Sequence, residues 1–211
     1  MAYLYVVLSR TTTATGKLIR TFTRCQYNHV SLALNEDLSD IVSFARYCID
    51  TPFCAGFVPE PVERFIYHGE PVPIRVFQVE IPSEQAAQLQ EFFSKAGDQN
   101  IGYLYNYFAC FSSLIRLPCP VPGAYTCLSF VSTVMGKYYR TLQDLERDLA
   151  PYEIFCGNFA DKYPDSGDRT DYYFTRRGFL RGTKDSFVHL SRLLVRVTRL
   201  RSFHDPIFRL Q

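Results

Sequence analysis

Two residues of this chain have the types and settings that nucleophilic chemistry asks for, His29 and Cys127. His29 is one of only four histidines and heads an alternating run, "HVSLAL". A lone imidazole on a strand is most often structural. It acquires a chemical role when a nucleophile faces it, because a thiol needs a nearby base to take its proton. Cys127 is the cysteine that fits. It lies in "YTCLSFV", where Thr126 is a natural N-cap and Cys127 takes the first helical position. A thiol there feels the positive end of the helix dipole and several unpaired N–H groups, which favour the thiolate. The same N–H groups can hold an oxyanion forming on an attacked carbonyl.

These residues must be positioned by elements that the pattern partly reveals. Residues 3–8, "YLYVVL", are β-branched and apolar, as a strand requires. Leu18, Ile19 and Phe22 recur at helical spacing and predict a short helix. Val30, Leu32 and Leu34 alternate with His29, Ser31 and Ala33, so an aliphatic face meets the core and a small polar face lines a cleft. "NEDLSD" turns the chain, and "IVSFARY" returns as the second strand of a hairpin. A third polar group should orient the imidazole by bonding its other nitrogen. Asn28, beside His29, has an amide that could reach the same cleft.

Farther along, the Pro- and Gly-rich stretch 51–62 reads as a surface loop. Residues 72–81 read as a strand ended by Pro82, with Ser83 capping a helix to about Ala96. Helices are expected near 104–115 and 142–149, and "GNFADKYPDSGDRTD" reads as a polar linker. Thr183 then opens a helix with Phe187, Leu190, Leu194 and Val197 on one face and Arg192, Arg196 and Arg199 on another.

Composition sets the bounds. At 211 residues, with 47% hydrophobic and 21% charged, the chain suits one well-cored domain and excludes general disorder. Its seven cysteines are irregularly spaced and contain no CxxC pair, so neither a zinc knuckle nor a disulfide framework is expected. No metal or cofactor site is read. The opening "MAYLYVVLSR" lacks a cationic leader, and no run reaches the ~18 apolar residues of a membrane span, so a cytoplasmic protein is the expectation. From 169 to 211 there are ten Lys/Arg against three Asp/Glu. Such a basic tail suits docking on the acidic remainder of the chain or on an anionic membrane. Its aromatics do not interleave with the basic residues, which argues against a nucleic-acid partner.

Together, "YTCLSFV" and "NHVSLAL" carry a specific likeness. The first resembles the Tyr-Asp-Cys-Ser-Gly-Leu-Val segment at the nucleophile helix of NlpC-type papain-like cysteine peptidases. The histidine strand precedes the cysteine helix by about a hundred residues, an order similar to the circularly permuted branch. That branch includes lecithin:retinol acyltransferase-like proteins and bacterial amidases. The resemblance covers roughly residues 1–160 and leaves 161–211 as a linker and basic amphipathic helix. It implies an α+β fold, a permuted papain-like core with an antiparallel or mixed sheet packed on helices. By the same likeness Cys127 is the nucleophile, His29 the base and Tyr125 the tyrosine that helps polarise the carbonyl. Ser43 falls where relatives carry Glu, His or another polar group, and Thr126 replaces the Asp of the motif. The implied activity is that of a thiol hydrolase, a cysteine peptidase or amidase, acting on a peptide or isopeptide. The rival readings are a lipid-directed acyltransferase or thioesterase on an acyl ester, and an inactive module that binds through the same cleft.

Overall fold

A computed structural model describes residues 1–11, 16–17, 20–21, 25–48, 51, 53–67, 70–98, 102–112, 119–163 and 179–198. Most of the short helix expected around Leu18, Ile19 and Phe22 lies outside these residues, as do His68, Arg199 and His204. The fold is α+β, built on an antiparallel sheet of six strands. Its strands are β1 (Ala2–Ser9), β2 (His29–Ala33), β3 (Val42–Arg46), β4 (Ala55–Pro59), β7 (Pro73–Ile81) and β10 (Glu153–Asn158). They lie in the order β10-β7-β1-β2-β3-β4. A two-stranded pair, β5 (Ile66–Tyr67) and β6 (Glu70–Pro71), precedes β7. The expected hairpin is present, with Leu32 opposite Val42 as the shared rung between β2 and β3.

β1 runs near the middle of the sheet and is apolar on both sides because both sides are covered. Leu4, Val6 and Leu8 face a first core layer with Val30 and Leu32 of β2. Tyr5 and Val7 face a second layer with Ala33, Ile74, Val76 and Phe159. Three helices cover the first layer: α1 (Ser83–Phe93), α3 (Cys127–Val134) and α4 (Leu142–Leu149). They contribute Leu89, Phe92, Phe130, Val131, Leu145 and Leu149. At its centre Phe44 sits among Phe57, Tyr125 and Phe130, with ring centroids 5.3–5.5 Å apart. Truncating one of these rings to Ala would cost on the order of 3–5 kcal/mol, because neighbouring rings cannot close the cavity.

Several expected elements differ. The stretch 51–62 is not wholly a loop: residues 55–59 form β4, whose Phe57 stacks on Phe92 at 4.6 Å. Glycine and proline punctuate that segment, but a single buried aromatic and β3 as a neighbour are enough to make it an edge strand. The helix expected over 104–115 is instead a two-residue strand, β8 (Leu104–Tyr105), followed by α2 (Tyr107–Ser112). β8 pairs in parallel with β9 (Ala124–Tyr125). The polar linker begins as part of β10 and then forms α5 (Phe159–Lys162), with Phe159 and Tyr163 in the second core layer. Ser83 is the first residue of α1, whose N-cap is Pro82; the Ser83 hydroxyl accepts from the N-terminal ammonium at 3.0 Å.

The last helix, α6 (Phe179–Thr198), starts before Thr183. Its packed side is not the expected one. Leu190, Leu193 and Val197 join Ala55, Leu104, Val121 and Ala124, while Phe187 and Leu194 are exposed. Arg196, placed on the basic face by spacing, donates to the Gly102 carbonyl at 2.8 Å and ties the helix to the segment before β8. Among the described residues no helix is long and apolar enough to cross a membrane.

Candidate active site

Cys127 is the first residue of α3, and the sequence explains why the helix starts there. The Thr126 hydroxyl accepts from the Ser129 N–H at 3.1 Å, and the Ser129 hydroxyl accepts from the Thr126 N–H at 2.8 Å. This reciprocal cap satisfies two orphan donors and contributes about 1 kcal/mol to the helix. The approach to the cap is fixed as well. Tyr125 pairs with Tyr105, and the Asn106 N–H donates to the Tyr125 carbonyl at 2.9 Å. The buried Asn106 amide donates to the Cys119 carbonyl at 2.8 Å, and its oxygen accepts from the Ala109 N–H at 2.9 Å. Asn106 thus holds both the strand that delivers Cys127 and the start of α2.

His29 is the first residue of β2 and lies opposite Ser9, the last residue of β1. It therefore stands at the end of the sheet, where α3 begins. Its Nε2 lies 3.0 and 3.1 Å from the two oxygens of Glu60. The Cys127 thiol interacts with the same imidazole and favours its charged form. Glu60 follows β4 directly, and its N–H donates to the Ile41 carbonyl at 2.7 Å. The Ser31 hydroxyl, two residues along the same face of β2 as His29, donates to Glu60 Oε2. The carboxylate is thus held by the backbone behind it and by a hydroxyl beside it.

The electrostatics follow from burial and pairing. Burial alone would push the His29 pKa down, but the Glu60 charge and the bonds to Cys127 and Glu60 outweigh it and raise the value to about 10. Burial would raise Glu60, but the His29 charge and bond, the nearby Arg64 and the Ser31 hydroxyl bring it down to about 2. A buried pair of this kind favours the ionised forms of both partners. The imidazole is a strong proton acceptor whose product is stabilised in place.

The structure brings together some of the sequence candidates and not others. Cys127 and His29 meet. Ser43 does not reach the imidazole: it is fully buried on β3, and its hydroxyl has no hydrogen-bond partner among the described residues. The group bonded to His29 is Glu60, which the loop reading of 51–62 concealed. Asn28 is turned to local duty: its amide donates to Thr11 at 2.6 Å and accepts from Arg20 at 2.9 Å. The ring of Tyr125 packs in the aromatic core against Phe44 and Tyr103. Its register partner Tyr105 is the tyrosine in electrostatic contact with Cys127, and it hydrogen-bonds Cys110. Burial and the neighbouring thiols keep the Tyr105 hydroxyl protonated far above its ordinary range. The face of His29, Ser31 and Ala33 is not an open cleft along its length, since Ser31 and Ala33 are fully buried.

None of the seven cysteines is in a disulfide; Cys25, Cys48 and Cys54 are buried and Cys156 is exposed. Among the described residues no group of three or more His, Cys, Asp or Glu is placed to hold a metal ion. No protein-family model, curated protein or solved structure matches the chain.

Proposed function

We propose that the chain is a thiol-dependent hydrolase of the permuted papain-like kind, acting on an amide or isopeptide bond. One observation carries the reading: a cysteine on the first turn of a capped helix lies within reach of a largely buried imidazole that a carboxylate holds through Nε2. With its affinity for a proton raised, His29 holds the proton given up by Cys127, and the thiolate sulfur attacks the carbonyl carbon. Backbone N–H groups at the start of α3 hold the oxyanion, with the neutral Tyr105 hydroxyl as a neighbouring donor. On collapse the C–N bond breaks, and His29 returns its proton to the leaving amine. Water then gives a proton to His29, attacks the thioester carbonyl, and releases the acid and the free thiol. Glu60 orients the imidazole and stabilises its charged form, the task a strand serine could do only poorly.

Labelling with an iodoacetamide probe across pH tests this. The expected outcome is one hyper-reactive thiol at Cys127, lost in Cys127→Ala and strongly slowed in His29→Ala. Exposed Cys156 serves as the internal reference thiol. Labelling of Cys127 no faster than Cys156, or unchanged in His29→Ala, would remove the catalytic reading and leave that of an inactive cleft-binding module.

A further inference from the structure

Helix α6 has two apolar sides, and the fold uses one of them. Successive helical residues turn by about 100°, so 187, 188, 191, 194, 195 and 198 share one face. That face points away from the packed residues Leu190, Leu193 and Val197. Phe187 is 73% exposed, Leu194 55%, Val195 50% and Val188 36%. Ser191 and Thr198 return their hydroxyls to the helix's own carbonyls, those of Val188 and Val195, so the stripe offers little to water. Exposed Lys184 lies one turn before Phe187 on the same side, and exposed Arg192 borders the stripe. The helix holds a single carboxylate, Asp185, and the segment from 169 to 211 carries ten Lys/Arg against three Asp/Glu.

From this we infer that the outer face of α6 docks on an anionic lipid bilayer. The apolar stripe would enter the boundary between headgroups and acyl chains, and Lys184 and Arg192 would meet lipid phosphates from its borders. Charge chooses this occupant: a second copy of the chain would bring the same cations against one another, whereas an anionic surface neutralises them. The inner side keeps the helix fixed to the body. His189 packs on Tyr47 with ring centroids 5.7 Å apart, and Arg196 bonds the Gly102 carbonyl. Docking would therefore set the orientation of β8 and β9, and of the Cys127 helix after them, relative to the membrane. The inference is independent of whether Cys127 is a nucleophile.

Co-sedimentation of the full chain with vesicles is the test. Vesicles with about 30 mol% phosphatidylglycerol in phosphatidylcholine should bind at least about fivefold more protein than phosphatidylcholine alone. Phe187→Ser with Leu194→Ser should weaken binding by about tenfold or more, while Lys184→Gln with Arg192→Gln should remove most of the preference for the anionic vesicles. Circular dichroism and probe reactivity at Cys127 check that each variant is folded. No partition of the wild type, or partition unchanged in folded Phe187→Ser/Leu194→Ser, overturns the inference. So does light scattering that finds a wild-type dimer and a monomer for that variant, since the face then belongs to a second copy.

Discussion

Two of the described histidines are largely shielded from water, and their surroundings push them in opposite directions. His29 shares its pocket with Glu60, and its pKa rises although burial opposes the charge. His189 packs on Tyr47, with Arg192 nearby and Asp185 only partly compensating; burial leads, and its pKa falls. One imidazole is kept ready to hold a proton, and the other is kept neutral as packing. Residue type and burial do not separate a candidate base from a core histidine. The partner does.

The widest contrast is in thiol reactivity. His29→Ala should slow alkylation of Cys127 on the order of a thousandfold, the range a positioned base contributes. His189→Ala should leave that rate unchanged, because His189 packs on Tyr47 and takes no part in the His29–Glu60 pair. Equal effects of the two substitutions would erase the distinction.

Glu60→Gln comes next. Slowing of about a hundredfold is expected, because an amide can orient the ring but cannot stabilise its charge. The same change should be visible on the imidazole itself. The wild-type His29 midpoint, followed by its ring-proton resonances, is expected near 10. In Glu60→Gln burial loses its main opponent, so the midpoint should fall by several units toward or below 6.5. A midpoint unmoved by the substitution would show that the carboxylate does not control the ring.

How much of this was legible in the sequence depends on how local each signal is. The cap at Thr126, the strand alternation around His29 and the return strand holding Ser43 are short-range patterns, and they reappear in the structure. Glu60 is not short-range. It lies 31 residues from His29, at the end of an edge strand hidden by proline and glycine. What defines that strand is the stacking of Phe57 on Phe92, a contact between distant segments. A long acidic side chain can cross from the strand's end to the imidazole, but nothing in residues 51–62 announces a partner. The two apolar sides of α6 were hidden for a related reason: periodicity marks an apolar stripe but does not say which of two stripes meets the body.

pH should separate the two histidines with a smaller effect. His29 is raised, so its contribution to stability is full below 6.5 and lost as pH rises through about 10. Glu60 is depressed, so its contribution is full above 4.5 and lost as pH falls toward about 2. His189 is also depressed, so the unfolded chain takes up its proton first. The stability from its neutral form is present above 6.5 and lost as pH falls below that value. Between 6.5 and 4.5 the His29–Glu60 pair should hold while α6 loosens. Hydrogen exchange should show earlier acid loss of protection in α6 than in β2, and the reverse order would contradict the assignment of charge states.

The smallest effect is expected at Ser43, whose buried hydroxyl has no hydrogen-bond partner among the described residues. An unsatisfied polar group costs free energy, so removing it without leaving another group unpaired is neutral or slightly stabilising, within about 1 kcal/mol. The void left by one oxygen is too small to offset that gain by much. Ser43→Ala should therefore leave the thermal midpoint unchanged or a little higher and keep Cys127 alkylation at the wild-type rate. That outcome would fix the third member of the site as Glu60. A loss of reactivity comparable to that of Glu60→Gln, in a folded Ser43→Ala protein, would return the orienting role to β3 and make the carboxylate a bystander.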